Sequence, residues 1–439
     1  MRAAAVVVVL AACSTAALPA EPDAPVVFDG PGAAVPDAPP PPAPDAPPPA
    51  LPPRYTSDRT LSPITAAVAR NLQGIAARNG DTLVDSAFMK VGDSITVAPE
   101  FMSCFAGTAY DLGGRTELQS VVTTFAGWFA RVSLAAQIGW SADAAIAGDP
   151  SPLDEEVAAA KPRYAIVMFG TNDADSRSLY TYAASLWTVV DTLAGDGVVP
   201  IMSSVPSNTS STAPSAATIA RENAVARGLA QARMFPFMDY FEELEPLPAL
   251  GLGPDGVHPS VYPGGACKLT AAGLAYGFNV RNLLTLESLL RARAAVEGDP
   301  PPDPEPTSPA VGGDGSYDRP FGVSGFPFTD LRDTSRSTNT KFTRYTGCSA
   351  SQDESGPEYV YKLVLVAPAT IRATVMVRGT TDVDVHLLSD LSVAGCIQRN
   401  DKEVVATLDA GTYYFALDTF VPADGTPRAG EYLFLVTSE

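Results

Sequence analysis

The sequence predicts an α/β body built on a parallel sheet, followed by an all-β sandwich. Three patterns carry that prediction. Between residues 55 and 297, short runs apolar on both faces alternate with Ala- and Leu-rich stretches at helical spacing, as a parallel sheet covered on two sides requires. From residue 317 onward the runs are short and alternating, with one apolar face each. A Pro/Asp/Gly stretch at 298–316 separates the two patterns, and 439 residues accommodate two domains with linkers.

Composition narrows the function classes. Hydrophobic residues make up 46% and charged residues 18%, so most of the chain can bury a core. Twenty-nine basic against 49 acidic side chains leave a net charge of −20, which repels phosphate backbones and excludes nucleic acid as an expected partner. The two histidines, His258 and His386, leave no room for a His-rich metal site. No metal and no organic cofactor is expected.

Met1 and Arg2 precede an apolar run that ends at Cys13, the layout of a secretory signal and too short to span a bilayer. Leu10-Ala11-Ala12-Cys13 resembles a bacterial lipobox, which implies a signal peptide at 1–12 and lipidation of Cys13; a plain signal cleaved nearby is the alternative. Ser14, with no aspartate after the cysteine, favours the outer membrane. Residues 13–54 are rich in Ala, Pro and Asp and read as an extended stalk, so the expected membrane partner is reached through lipid alone. Without Cys13, four cysteines remain, two on each side of the second linker. Of their three pairings only Cys104–Cys267 with Cys348–Cys396 keeps both bridges within a domain, and both are expected in an oxidising compartment.

In the first part, strands are expected at Ala87–Val91, Tyr164–Phe169, Val198–Ser203 and Met234–Met238. Helices are expected at Leu179–Leu193, Ala216–Ala232 and Thr270–Ala294, the last with a break near Gly277. Active sites of parallel sheets lie at the carboxyl ends of strands, and polar clusters fall there. Gly92-Asp93-Ser94 follows the first strand and Gly170-Thr171-Asn172-Asp173 the second; Asp255-Gly256-Val257-His258 precedes the last helix. A serine hydroxyl attacks only when a base takes its proton. His258 is the one histidine of this part, so a Ser–His mechanism must use it, and Asp255 three residues earlier can accept the imidazole Nδ1–H.

These blocks together resemble the SGNH (GDSL-type) hydrolase family. The resemblance implies a flavodoxin-like three-layer domain over 55–297, with Ser94 as nucleophile, His258 as base and Asp255 as its orienter. It further implies an oxyanion hole made by the Ser94 and Gly139 N–H groups and the Asn172 amide. Plainer readings stand beside these. Ser94 can cap the following helix, Asn172 and Asp173 can serve a turn, Asp255 can shape the Gly256 turn, and Trp140 can simply pack. Asp93 reads as a structural hydrogen-bonder.

In the second part, 317–439, strands are expected at Tyr359–Val366, Ile371–Val377, Val383–Leu388, Val404–Leu408, Tyr413–Leu417 and Tyr432–Val436, with a hairpin turn at Asp409-Ala410-Gly411-Thr412. The Asp-Val-Asp-Val strand and the Ala-Gly-Thr-Tyr-Tyr stretch resemble the pre-peptidase C-terminal type of domain, an accessory module with a glycan or cell-surface ligand as its conceivable partner. Asp353, Glu354, Asp382, Asp384 and Asp401 offer oxygen ligands for calcium, yet their spacing fits no compact loop, so they read as solvated; His386 reads as structural. The function expected is a lipid-anchored, extracytoplasmic serine esterase acting on short-acyl or O-acetyl-carbohydrate esters. A surface adhesion lipoprotein with an idle hydrolase-like part, or an O-acyltransferase using the same residues, are the alternatives.

Overall fold

Parallel strands β1 (Val84–Gly92), β2 (Pro162–Met168), β3 (Val199–Ser203) and β4 (Phe237–Met238) lie side by side in sequence order. Every residue of β2 and β3 is buried, which is why they are apolar on both faces. A parallel bridge between Gly92 and Ala136 adds one more pairing to the other side of β1. The chain therefore leaves β1 towards one side and returns on the other, and the carboxyl ends of β1 and β2 flank the crevice that such a switch creates. The coordinates are a computed structural model describing residues 52–349 and 352–439; the expected signal peptide, Cys13 and nearly all of the expected stalk lie outside them.

The five longest helices among the described residues flank this sheet: α1 (Ala66–Ala76), α2 (Pro152–Ala160), α3 (Leu179–Gly195), α4 (Ala216–Arg233) and α5 (Gly277–Glu297). The side chains of Thr65, Ser151, Ser178 and Ser215 accept first-turn N–H groups, which sets where the first four begin. Helices α1 and α5 pack together, as do α3 and α4, giving a layer on each side of β3. The last helix starts at Gly277, later than the Thr270 expected, because the Gly277 N–H is taken by Ser260 Oγ and residues 273–275 form a separate tight turn. Among the described residues no helix is long and apolar enough to cross a membrane.

The C-terminal part holds two sheets. Strands β5 (Phe321–Val323), β6 (Phe328–Asp333), β7 (Tyr359–Leu365), β8 (Ala369–Val377), β9 (Val383–Leu388), β10 (Cys396–Asn400), β11 (Glu403–Leu408), β12 (Gly411–Thr419) and β13 (Glu431–Ser438) pair as β10-β9-β12-β7-β5 and β11-β8-β13-β6. All pairings are antiparallel except β5 with β7. Tyr361, Val375, Val385, Phe415 and Phe434 fill the space between the sheets. All six expected strands are present, and β5, β6 and β10 are additional. The expected hairpin at 409–412 is not one: β11 pairs with β8, whereas β12 pairs with β7 and β9 in the other sheet. The chain reverses there but crosses between sheets, as it also does from β7 to β8. Glu354 and Asp384 are not solvated, being 0% and 2% exposed.

The stretch 298–316 has no helix or strand, yet it is fixed. Asp303 accepts from Arg291 and from the Ile64 N–H and pairs with Arg59, Glu305 accepts from the Ala67 N–H, and Val311 is buried in the sandwich core. Both disulfides, Cys104–Cys267 and Cys348–Cys396, are formed. The first closes a loop of 163 residues, for which chain-entropy reasoning gives about 5 kcal/mol of stabilisation. Replacing Cys104 and Cys267 together by serine is expected to lower the unfolding free energy by about that amount, read as a shift of the urea midpoint under non-reducing conditions.

Candidate active site

Strand β1 ends abruptly at Gly92. A Cβ there would lie 2.5 Å from the Met168 carbonyl oxygen at the end of β2, so only glycine allows the two strand ends to approach so closely. The next residues form a single helical turn, Ser94–Val97. Asp93 occupies its cap position, with Oδ1 accepting from the Ile95 N–H at 3.0 Å, so the cap role belongs to Asp93 and Ser94 keeps its hydroxyl free for other work.

Beneath this turn sits Arg281 of α5, 1% exposed. It donates to the Ile95 carbonyl at 2.7 Å and to Thr96 Oγ1 at 2.9 Å, and its guanidinium lies 3.7 Å from the Phe101 ring centre. Burial pushes its pKa down to about 10, opposed by Tyr240 and by Asp93. Burial pushes the Asp93 carboxyl up, and the Arg281 charge opposes that. Next in α5, Asn282 holds the following loop, accepting from the Met102 N–H and donating to the Glu100 carbonyl.

The loop after β2 is laced to the segment around Gly139. Asn172 Nδ2 donates to the Trp140 carbonyl at 3.0 Å, and both Asp173 carboxylate oxygens accept from the Ala142 N–H at 3.0 and 3.2 Å. On its other side the Gln137 N–H donates to the Gly92 carbonyl at 3.1 Å. Gly139 therefore hangs between the ends of β1 and β2. Among the described residues, the backbone N–H groups of Ser94 and Gly139 donate to no protein group, and Asn172 spends one of its two amide hydrogens on Trp140. Trp140 packs part-buried against the core, in line with the plainer reading of its ring. Burial pushes Asp173 up to about 7, against the pull of the Ala142 N–H. Behind it, burial and then Asp173 and Asp175 push Glu222 of α4 up to about 9.

The third loop is organised by one carboxylate. Asp255 Oδ1 accepts from the N–H groups of Val257 and His258, each at 3.0 Å, while Oδ2 accepts from His258 Nδ1 at 2.7 Å. It thus shapes the turn and orients the ring at once. Desolvation raises its pKa, but the two N–H groups and the His258 ring outweigh that and hold Asp255 below its ordinary value. With the Nδ1–H donated to Asp255, Nε2 is the acceptor for the Ser94 hydroxyl, 2.9 Å away. The Cys104–Cys267 bridge joins the chain that follows the serine to the chain that follows the histidine. Beside His258 opens an apolar cleft of about 860 Å³, walled by Leu252, Pro259, Val261, Tyr276 and Phe278.

The structure brings Ser94, His258 and Asp255 into one hydrogen-bonded line and sets Gly139 and Asn172 in one interlaced segment. The sequence reading missed Arg281, Asn282 and Glu222. For Arg281 and Asn282 a signal was visible: with Asn279 and Thr285 they put polar groups among the apolar residues of the first half of this helix, where buried polar groups need partners.

Two outcomes follow from this local packing. Gly92→Ala is expected to cost on the order of 1–3 kcal/mol of stability by overpacking and to lower Ser94 reactivity, measured by thermal melting alongside covalent labelling of the serine. Glu222 in the folded state retains its proton up to about pH 9, whereas unfolded chain releases it near the ordinary value of 4.5. Between those values the folded state binds more protons, so this group makes stability fall as pH rises. Glu222→Gln is therefore expected to match the parent protein near pH 4 and exceed it increasingly towards pH 9 in denaturation curves.

Residues 90–262, which span Ser94, Gly139, Asn172, Asp255 and His258, match the sequence profile of the GDSL-like Lipase/Acylhydrolase family. No curated protein sequence matches the chain. Among solved structures, a lipase/acylhydrolase from Enterococcus faecalis is 17% identical, covering 46% of this chain and 95% of its own, with a TM-score of 0.34. An acetyl xylan esterase from Geobacillus stearothermophilus is 18% identical, covering 46% and 94%, with a TM-score of 0.32. A two-domain esterase active on acetylated mannans is 12% identical, covering 84% and 95%, with a TM-score of 0.33. Over residues 90–262 this chain is similar to the GDSL-type (SGNH) acylhydrolases.

Proposed function

We propose that the protein is an extracytoplasmic serine esterase, anchored by lipid at Cys13, that removes short acyl groups from carbohydrate-like alcohols through an acyl-enzyme. The observation that carries this reading is the unbroken line from Asp255 through His258 to Ser94, with spacings of 2.7 and 2.9 Å, beside unspent N–H donors. Ser94 Oγ adds to the ester carbonyl while its proton passes to His258 Nε2. The carbonyl oxygen becomes an oxyanion met by the N–H groups of Ser94 and Gly139 and the free amide hydrogen of Asn172. His258 returns the proton to the departing alcohol oxygen. Water then repeats the sequence on the acyl-Ser94 ester, using the same base.

Two features favour the substrate class. The proton returns to the alcohol from His258, so the alcohol lies on the histidine side, where the cleft walled by Val261, Tyr276 and Phe278 offers flat apolar faces. The His258 and Asp255 side chains are 43% and 53% exposed, so no described segment closes over the site. A long acyl tail would remain in water there, whereas an acetyl group loses little by it. The two disulfides suit an oxidising compartment and the apolar run before Cys13 suits export, which together support the extracytoplasmic placement.

The test is hydrolysis of nitrophenyl esters of increasing acyl length, with acetate release from acetylated polysaccharides measured in parallel. Acetyl esters are expected to be preferred. Ser94→Ala should abolish turnover and fluorophosphonate labelling alike, and Asn172→Ala should reduce kcat about 10²–10³-fold by removing one oxyanion donor. Parent protein that takes no fluorophosphonate would instead make the part an idle binding module.

A further inference from the structure

In strand β9 alternate residues face opposite ways. Val383, Val385 and Leu387 point into the sandwich core. Asp384 and His386 point to the other face and are nevertheless 2% and 0% exposed. They are covered by the chain preceding β7, where Phe342 and Tyr345 form a small second core with Leu388 and Ala416, closed by the Cys348–Cys396 disulfide. Glu354 of that covering chain, also 0% exposed, reaches the same point. One ligand atom from each of Glu354, Asp384 and His386 lies within 4.8 Å of the others.

Hydrogen bonding does not account for this cluster. Both ring nitrogens of His386, both carboxyl oxygens of Glu354 and Oδ2 of Asp384 are buried without a hydrogen-bond partner among the described residues. The nearest cation, Arg399, stands 3.6 Å from Asp384 Oδ2 and donates to Gln352 instead. The neighbouring acidic pair behaves differently. Glu358 accepts from the N–H groups of Lys341 and Phe342, and Asp418 accepts from the Tyr345 hydroxyl at 2.7 Å and the Thr419 N–H at 2.9 Å. Glu358 and Asp418 thus have donors aimed at them, with Glu358 Oε2 alone left over, whereas five side-chain atoms are left over in the cluster of three. Buried polar atoms without partners mark either strain or a missing ion.

The donor set fits an ion. Two carboxylate oxygens and one imidazole nitrogen are ligands for a borderline divalent metal such as Zn²⁺, whereas Ca²⁺ asks for six to eight oxygens. The Tyr345 ring lies parallel on His386 at 3.7 Å and fixes the plane of the imidazole.

We propose that Glu354, Asp384 and His386 are a zinc-class metal site that fastens the covering chain to β9. A tetrahedral ion with bonds near 2.0–2.1 Å sets its ligands roughly 3.3–3.4 Å apart, so binding draws the three groups slightly inward. The fourth position is taken by a second carboxylate oxygen or a water. The site serves structure: it neutralises two buried carboxylates and adds a second clasp beside the disulfide.

The test uses the whole chain, stripped with a chelator and titrated with Zn²⁺. One equivalent per chain is expected, together with a rise in melting temperature. Because the chain has two histidines, ¹⁵N imidazole spectra separate the sites directly: the His386 signals should move and those of His258 should not. Uptake should persist in His258→Ala and disappear in His386→Leu and Glu354→Gln. The spectra on the parent protein decide the matter even where a variant fails to fold. No zinc uptake by stripped protein, uptake that shifts His258 alone, or uptake of Ca²⁺ but not Zn²⁺ would each overturn the proposal.

Discussion

The site depends on how closely the ends of β1 and β2 approach. Gly92 must pass within van der Waals reach of the Met168 carbonyl, and the chain must turn at once, so that Ser94 leaves the sheet at its carboxyl edge. Asp93 and Arg281 hold that turn from below. Each is buried and each would be costly alone; Arg281 spends its donors on the Ile95 carbonyl and the Thr96 hydroxyl, while Asp93 spends an oxygen on the Ile95 N–H. The two make no direct ion pair among the described residues, yet the charge of each opposes the cost of burying the other. The rigidity of the serine therefore comes from beneath it, from groups that never meet a substrate.

His258 is held in the opposite manner. His258 and Asp255 are largely exposed, so packing cannot position them. Local hydrogen bonds do so instead: one Asp255 oxygen binds two backbone N–H groups and the other binds the ring, which makes turn and orientation a single feature. The Cys104–Cys267 bridge then limits how far the histidine-bearing chain can drift from the serine-bearing chain. Buried support for Ser94 and solvent-facing support for His258 leave an open mouth between them, which suits the proton-transfer role proposed for His258.

Much of this was legible in the sequence, for reasons that also mark its limits. Strands β1 to β3 could be read because burial on both faces forces continuous apolar runs. Ser94, Asp255 and His258 could be read because turn chemistry is local. Gly139 was less visible because nothing in its own neighbourhood places it; its position follows from bonds made by Asp173 and Asn172, more than thirty residues away. Strand β6 was missed because it turns Asp330 inward, where the Tyr361 hydroxyl and Arg332 satisfy it, so its pattern does not read as a core strand. The stretch 409–412 shows the same limit from the other side. A turn sequence says that the chain reverses, and says nothing about which strand it will pair with next.

The sheet β11-β8-β13-β6 is buried on both faces along β13 and the middle of β8, and this links the sandwich to the site at one remove. Its inner face fills the sandwich, while Met376, Leu433 and Leu435 on its outer face join the core of the α/β part, against α3 and α4. Arg233 of α4 binds both Asp191 of α3 and Glu431 of β13, and Arg378 reaches the same Asp191, with both guanidinium groups over the buried Trp187 ring. These two helices are not neutral scaffolding. Helix α3 begins shortly after the Asn172 loop, and α4 carries Glu222, whose carboxyl stands directly behind Gly170. Rigid docking on α3 and α4 thus fixes the rear of the loop that bears the Asn172 amide. If Asn172 is the oxyanion donor proposed above, a displacement of about 1 Å would cost much of its value, so the sandwich contributes to the geometry of the site without touching it.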